Sequence, residues 1–331
     1  MRRITIAVLA LVVSTLTPVA SRAAVSVDRV GFTVVNPVNG EELEIKGNVY
    51  MPAGAPACDA SVILLVHGLS YGTFAWDFPI EPNRYSVARA LAERGYPAVA
   101  FDRPGYGQST KPNGYTLSVE AYAGMVSQMV AQLRTANYSS AVRNAFRRVA
   151  LMGHSAGTEI SELTTALYGG VDALIATAYT HFPSQRIATD FFTGDYVRAA
   201  QRDYEYFGGT PAGRTEYMYN TALADPAVVS RDNELANLTP SGEVYSIGMQ
   251  PSGKVQALID VPVLLVLAEK DLLFPSEFAN DELLLFAGSR DKKLHMVPQA
   301  GHSFMLHTNA PETNAVVADW LDARQAITPH C

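Results

Sequence analysis

The chain has 331 residues, 48% hydrophobic and 17% charged, which suits one large globular domain or a domain with an insertion. Its 25 Lys and Arg against 32 Asp and Glu leave a formal charge of −7. That balance, with no basic cluster, argues against nucleic acid or an anionic membrane as partner, and the sequence holds neither repeats nor the paired Cys and His spacings of a zinc site.

The amino terminus reads as a targeting segment. Arg2 and Arg3 precede the uncharged run 4–16, followed by Thr17-Pro18 and the small-residue stretch Val19-Ala20-Ser21-Arg22-Ala23, the three-part layout of a secretory signal. The apolar run is shorter than the roughly 20 residues a membrane-spanning helix needs. Residues 1–23 are therefore expected to be removed, the mature protein to be secreted or periplasmic, and no stable membrane insertion to follow. Loss of Arg2, Arg3 and Arg22 takes the formal charge to −10.

Residues 30–35 and 43–50 then read as two strands joined by a turn at Asn36-Pro37-Val38-Asn39-Gly40. The continuous apolar run 61–66 predicts a strand buried on both faces. A helix is predicted over 84–94, a buried strand over 98–101, a longer amphipathic helix over 119–134 and a strand over 149–152. After it come Gly153-His154-Ser155-Ala156-Gly157, a helical pattern over 159–168 and an apolar strand over 171–176. The alternation stops from 181 to 256. It resumes with a strand at 261–267, a helical stretch at 276–285, a strand at 293–297 and a last helix at 311–326.

Alternating strands and helices imply an α/β fold, a mostly parallel, doubly wound sheet covered on both faces. Functional groups in such sheets gather beyond the carboxyl ends of the strands. Four segments fall there: His67-Gly68-Leu69, the pentapeptide around Ser155, the segment around Asp271 and the loop carrying His302. The domain division expected is a signal at 1–23, a core of 24–180 and 257–331, and a mostly helical cap at 181–256 inserted after the sixth strand. Cys58 precedes an inner strand and Cys331 follows the last helix, at the sheet end opposite the site. In an exported protein the two are expected to form a disulfide.

The pentapeptide fits the G-x-S-x-G nucleophile elbow, a sharp strand-to-helix turn that lifts a serine hydroxyl out of the sheet. Ser155 is strained there, and side chains at the flanking positions would clash where strand and helix pass closely. From about residue 30 to 325 the chain resembles the α/β-hydrolase family. The marks are His67-Gly68, the segment Asp102-Arg103-Pro104-Gly105-Tyr106-Gly107-Gln108-Ser109, the elbow, Asp271 and Gly301-His302, in that order. Serine at the elbow sets the chain apart from relatives that open epoxides or displace halide with an aspartate nucleophile.

A serine hydroxyl needs a base and a group to hold that base. His302, in the loop beyond the last strand, is the candidate base. Asp271, after the strand 261–267, is the candidate orienting acid, with Glu269 and Asp281 as weaker rivals. The order Ser, Asp, His along the chain is the one this fold uses. A base must be neutral, so turnover should fall on the acidic side. The amide of Ala156, at a helix amino end, is one candidate oxyanion donor. The resemblance supports Leu69 as the second, with Ser70 as the alternative. The Asp102–Ser109 segment is read as a structural turn, with Tyr106 a minor pocket-wall candidate. His67 and His154 are read as packing or capping groups, and His181 as a pocket candidate.

The inserted stretch carries Phe182, Phe191, Phe192, Tyr196, Tyr204, Tyr206, Phe207, Tyr217, Tyr219 and Tyr245. These either make the cap's own core or line an apolar pocket. Arg186, Arg198 and Arg202 either meet an anionic substrate or face solvent. Asn137-Tyr138-Ser139 and Asn237-Leu238-Thr239 match glycosylation acceptors, relevant only in a eukaryotic secretory pathway. The expected activity is hydrolysis of a small to medium ester-like substrate through an acyl-enzyme, with no metal or cofactor. The alternatives are the same triad used by a lyase, an acyltransferase or a cofactor-free perhydrolase, or a small-molecule receptor.

Overall fold

Two long strands open the fold, β1 (Val25–Val35) and β2 (Glu42–Pro52), in a computed structural model that describes residues 24–52, 61–193 and 204–324. The signal at 1–23 and the Cys58–Cys331 pair lie outside the described residues. Residues alternate buried and exposed along 42–47, as in a sheet with one wet face. The turn between the strands closes through Asn36 N–H to Glu41 O and Gly40 N–H to Asn36 O, with Gly40 at φ 76°.

The inner strands β3 (Ser61–Val66) and β4 (Ala98–Phe101) are buried at every residue. Between them lies α1 (Val87–Glu93), which starts later than the predicted residue 84. Ser86 is the reason, since its side chain accepts the Arg89 amide and caps the first turn. The long helix α2 (Val119–Thr135), capped by Ser118, ends at Ala136 in the left-handed region. A two-residue edge strand, β5 (Ser139–Ser140), is absent from the predicted elements. It lacks any apolar pattern and exists only by pairing with β1. Then come β6 (Arg148–His154), α3 (Ala156–Tyr168) and β7 (Ala173–Thr177). With β5 counted, the insertion follows the seventh strand rather than the sixth.

Between β7 and the next core strand lie α4 (Gln185–Thr193), β8 (Tyr206–Phe207), α5 (Pro211–Met218), α6 (Pro226–Leu235), β9 (Thr239–Pro240) and α7 (Ser241–Ile247). Thr210 and Asp225 cap α5 and α6, each with proline in the first turn. A small antiparallel pair, β8 with β9, adds to the helices expected there. The core resumes with β10 (Val263–Ala268), α8 (Ala279–Leu285), β11 (Lys292–Val297) and α9 (Ala310–Asp322).

The nine strands order as β11-β10-β7-β6-β3-β4-β2-β1-β5, parallel from β11 to β4 and antiparallel beyond. Side chains of β3 divide between two apolar layers. Val62, Leu64 and Val66 join α2 and α3, while Ile63 and Leu65 join α1 and α9. Each such buried aliphatic side chain contributes about 1.5–3 kcal/mol. From β3 the chain steps outward to β4, then returns to β6 on β3's other side. That reversal is a topological switch point, and it opens a crevice beyond the carboxyl ends of β3 and β6.

Candidate active site

Ser155 stands at that crevice. β6 ends at His154 and α3 begins at Ala156, so this single residue carries the whole change of direction. It sits at φ 55°, ψ −126°, outside the regions open to ordinary residues. Its amide donates to Thr177 O at 2.9 Å and its carbonyl accepts from Thr158 N–H at 2.7 Å, which holds the strained geometry. The flanking glycines are steric requirements. A Cβ at Gly153 would lie 2.4 Å from Gly157 O, and one at Gly157 would lie 2.0 Å from Val66 O.

His302 follows β11 and meets Asp271, which follows β10. Its Nδ1 lies 2.8 Å from Asp271 Oδ2. A carboxylate accepts, so Nδ1 carries the proton and Nε2 keeps its lone pair. The other oxygen, Oδ1, accepts from the amides of Leu273 at 2.8 Å and Phe274 at 3.2 Å, which fixes the carboxylate. His302 is 1% exposed and Asp271 6%, with the imidazole packed beside His154 and Phe274. The rival acids stand apart: Glu269 is exposed and engaged by Lys270 and Gln299, and Asp281 is exposed on α8.

Three other histidines hold backbone. His67 donates from Nδ1 to Gly68 O and accepts the Arg103 amide at Nε2. His154 donates from Nε2 to His302 O at 3.1 Å. Burial pushes both pKa values well below the usual range, helped by Arg103 beside His67 and His302 beside His154, so neither competes for a proton. His307, which stood in no motif, donates to Ser303 O and accepts the amides of Gly301 and Asn220, pinning the His302 loop from behind. Burial lowers its pKa too and keeps it in the neutral form that can accept. His181 hydrogen-bonds Glu282 and Ser252 instead of lining the pocket, and His295 lies within β11.

Ser155, His302 and Leu69 line one cavity of about 510 Å³. No hydrogen bond joins the serine hydroxyl to the imidazole here; such bonds commonly tighten only with substrate bound. Among the described residues no backbone carbonyl takes up the amides of Leu69 or Ala156. Gly68 brings the Leu69 loop against the elbow, since a Cβ there would lie 2.9 Å from His154 O and Ser155 Cβ. Ser70 also lines the cavity, in the left-handed region at φ 60°. The Asp102 carboxylate accepts the amides of Thr73 and Gln108, as a structural turn requires. Tyr106 is buried behind it, donating to Glu243 rather than forming a pocket wall.

The cavity walls are mostly apolar, lined by Ile187, Phe207, Tyr217 and Met218 from the inserted stretch together with Leu273 and Phe274 of the core. Of the inserted aromatics, Phe207 and Tyr217 line the cavity. Phe182 stacks on Phe278, Tyr219 stacks on His307, and Tyr206 donates to Pro112 O. Tyr204 and Tyr245 are largely exposed. The side chains of Phe191, Phe192, Tyr196, Arg198 and Arg202 lie outside those described. Arg186 pairs with Glu216. A different cation faces the cavity, Arg214 on α5, paired with buried Asp232 on α6. No motif or spacing marks that pair in the sequence. Asn237, the asparagine of a glycosylation match, spends its side chain on Gly107 N–H and Tyr71 O.

Residues 63–319 match the sequence profile described as the Alpha/beta hydrolase family. No curated protein matches the chain in sequence. Among solved structures, a thermophilic esterase from Thermogutta terrifontis superposes with TM-score 0.68 at 16% identity, covering 90% of this chain and 99% of its own. An esterase from Exiguobacterium antarcticum superposes with TM-score 0.63 at 18% identity, covering 87% of this chain and 98% of its own. A bromoperoxidase from Bacillus anthracis does so with TM-score 0.60 at 18% identity, covering 88% and 99%. At such identities the structural likenesses speak for the fold. On the profile match, carried over most of its length, the chain belongs to the alpha/beta hydrolase family and is a hydrolase.

Proposed function

We propose that the protein is an exported serine esterase that cleaves a carboxylic ester of small to medium size. Ser155 is the nucleophile, His302 the general base and Asp271 the group that orients it. The single observation that carries this reading is the buried Asp271–His302 bond beside a strained Ser155 on one mostly apolar cavity. Residues 181–256 serve as the cap over that cavity.

Nε2 of His302 takes the hydroxyl proton as Ser155 Oγ adds to the ester carbonyl carbon. The carbonyl electrons move to oxygen, where the amides of Leu69 and Ala156 receive them, a donor of this kind being worth roughly 3–4 kcal/mol. Collapse breaks the carbon–oxygen bond, and the departing alkoxide takes the proton from Nε2. Water then adds to the acyl-enzyme with His302 again as base, releasing the acid and restoring Ser155. Asp271 stays ionised throughout and stabilises the imidazolium.

The test is labelling of the mature protein with a fluorophosphonate, peptide mapping, and turnover of p-nitrophenyl esters of increasing acyl length. Modification at Ser155, with turnover lost in Ser155→Ala, is the expected outcome. Labelling without turnover would redirect the search to amides, thioesters or the lyase and perhydrolase chemistries. Activity persisting in Ser155→Ala would refute the mechanism.

A further inference from the structure

The loop that follows β3 is gripped from the inserted stretch at several points. Ser70 holds a left-handed conformation, φ 60°, that costs a non-glycine residue about 1–2 kcal/mol. Something must therefore hold it. Arg214 Nη1 donates to Ser70 Oγ. The Asn237 amide donates to Ser70 O at 2.8 Å, and its side-chain amide donates to Tyr71 O at 3.1 Å. The Arg214 guanidinium lies over the Tyr71 ring at 4.4 Å, and the Tyr71 hydroxyl sits 2.5 Å from Ser303 Oγ, one residue beyond His302.

Arg214 is in turn fixed by Asp232. Its Nη2 contacts both carboxylate oxygens at 3.0 Å, and Asp232 is fully buried. The charge is thus neutralised inside the cap. A guanidinium so paired is poorly placed to attract an anionic substrate, and well placed to act as a rigid fork. Its outer nitrogen reaches the residue next to Leu69, the oxyanion donor proposed above.

We propose that Arg214, held by Asp232, is a positioning residue that sets the Leu69 amide through Ser70. The inference rests on the serine-hydrolase reading above. Because α5 and α6 belong to the inserted stretch, the oxyanion donor is correctly set only when that stretch is docked. A displacement of about 1 Å in such a group lowers turnover by up to about a hundredfold.

The test uses Ser70→Ala, Arg214→Met, Arg214→Lys and the Ser70→Ala/Arg214→Met double variant, each normalised to active sites titrated with the fluorophosphonate. Expected is a kcat lower by about ten- to hundredfold in Ser70→Ala and Arg214→Met, with KM within about threefold for short and long acyl esters alike. The double variant should lose little beyond the worse single one, because both remove one contact. Arg214→Lys should recover part of kcat. Affinity for a trifluoromethyl ketone, which mimics the tetrahedral oxyanion, should fall in step with kcat/KM. Arg214→Met orphans the buried Asp232, and should it not fold, Ser70→Ala decides alone, since it removes the contact and leaves no charge unpaired. A Ser70→Ala protein with unchanged kcat per titrated site overturns the proposal. So does a rise in KM at constant kcat in Arg214→Met, which would place the guanidinium on substrate. If the unaltered protein neither labels nor turns over esters, the underlying serine-hydrolase reading fails; if it does both, the variants test the positioning role alone.

Discussion

Replacing Asp271 by Asn separates the role of its charge from its role in the structure. The carboxylate makes three hydrogen bonds. Oδ1 accepts the Leu273 and Phe274 amides, and Oδ2 accepts the His302 Nδ1 proton at 2.8 Å. Asparagine keeps an oxygen for the two amides but turns an NH₂ toward Nδ1. The imidazole must then shift its proton to Nε2, the nitrogen that should take the proton of Ser155. The equivalent change in a serine protease triad lowers kcat by about 10⁴. At about 1.36 kcal/mol per decade that is roughly 5.5 kcal/mol of lost transition-state stabilisation. Stability should hardly change, because the backbone amides stay paired. Asp271→Ala, by contrast, orphans two buried amides and an imidazole N–H, each costing about 1–3 kcal/mol. The assay is ester kinetics beside thermal unfolding for both variants. Asp271→Asn keeping activity within tenfold of the parent would refute the tautomer argument. A large loss of stability in that variant would refute the separation of roles.

Three further outcomes follow from the geometry. Gly157→Ala should lose about 3 kcal/mol or more, or fail to fold, because its Cβ would meet the rigid Val66 carbonyl at 2.0 Å; soluble yield and thermal unfolding measure it. Glu162 is pushed up to about 8, chiefly by burial, with Glu282 adding to the rise and His181 opposing it. The folded chain keeps a proton that the unfolded chain releases above about 4.5, so this group's stabilisation is full below that pH and fades as pH rises to 8. Glu159 beside it, raised by burial, and His181, raised by Glu282 and Glu162 against the opposing effect of burial, act in the same direction. Glu162→Gln should flatten the fall of Tm between pH 5 and 8, and an unchanged slope would exclude it as the source. Finally, Ile187→Trp would fill part of the cavity that Ile187 lines together with Leu273 and Phe274. It should cut kcat/KM for the longest ester accepted by about tenfold while sparing the acetate.

Much of the site was readable because its constraints are local. An elbow demands glycines that flank its serine at fixed offsets, so Gly153, Ser155 and Gly157 announce themselves within five residues. Continuous apolar runs announce inner strands, because a strand covered on both faces has no polar positions. Asp271 and His302 were legible from their places after such strands, and they meet at 2.8 Å. Element ends were less so, since they depend on single caps such as Ser86.

What pattern could not supply is whatever depends on distant chain meeting distant chain. β5 has two residues and no hydrophobic signature, and it forms only because β1 offers an open edge. His307 carries no motif, yet it accepts two amides from segments 87 and 6 residues away in sequence. Glu159, Glu162 and Glu282 look like ordinary helical acids until tertiary packing buries them. Of the three arginines weighed in the inserted stretch, Arg186 pairs with Glu216 and the side chains of Arg198 and Arg202 lie outside those described, whereas Arg214, which no pattern marks, faces the cavity with its partner on the next helix. The sequence by itself determined the sheet, the sharp turn at Ser155 and the order of the proposed catalytic groups, because backbone sterics and strand burial act over a few residues. Tertiary structure alone decided which side chains of the inserted stretch line the cavity and grip the loop after β3, because such contacts depend on three-dimensional packing that no spacing along the chain encodes.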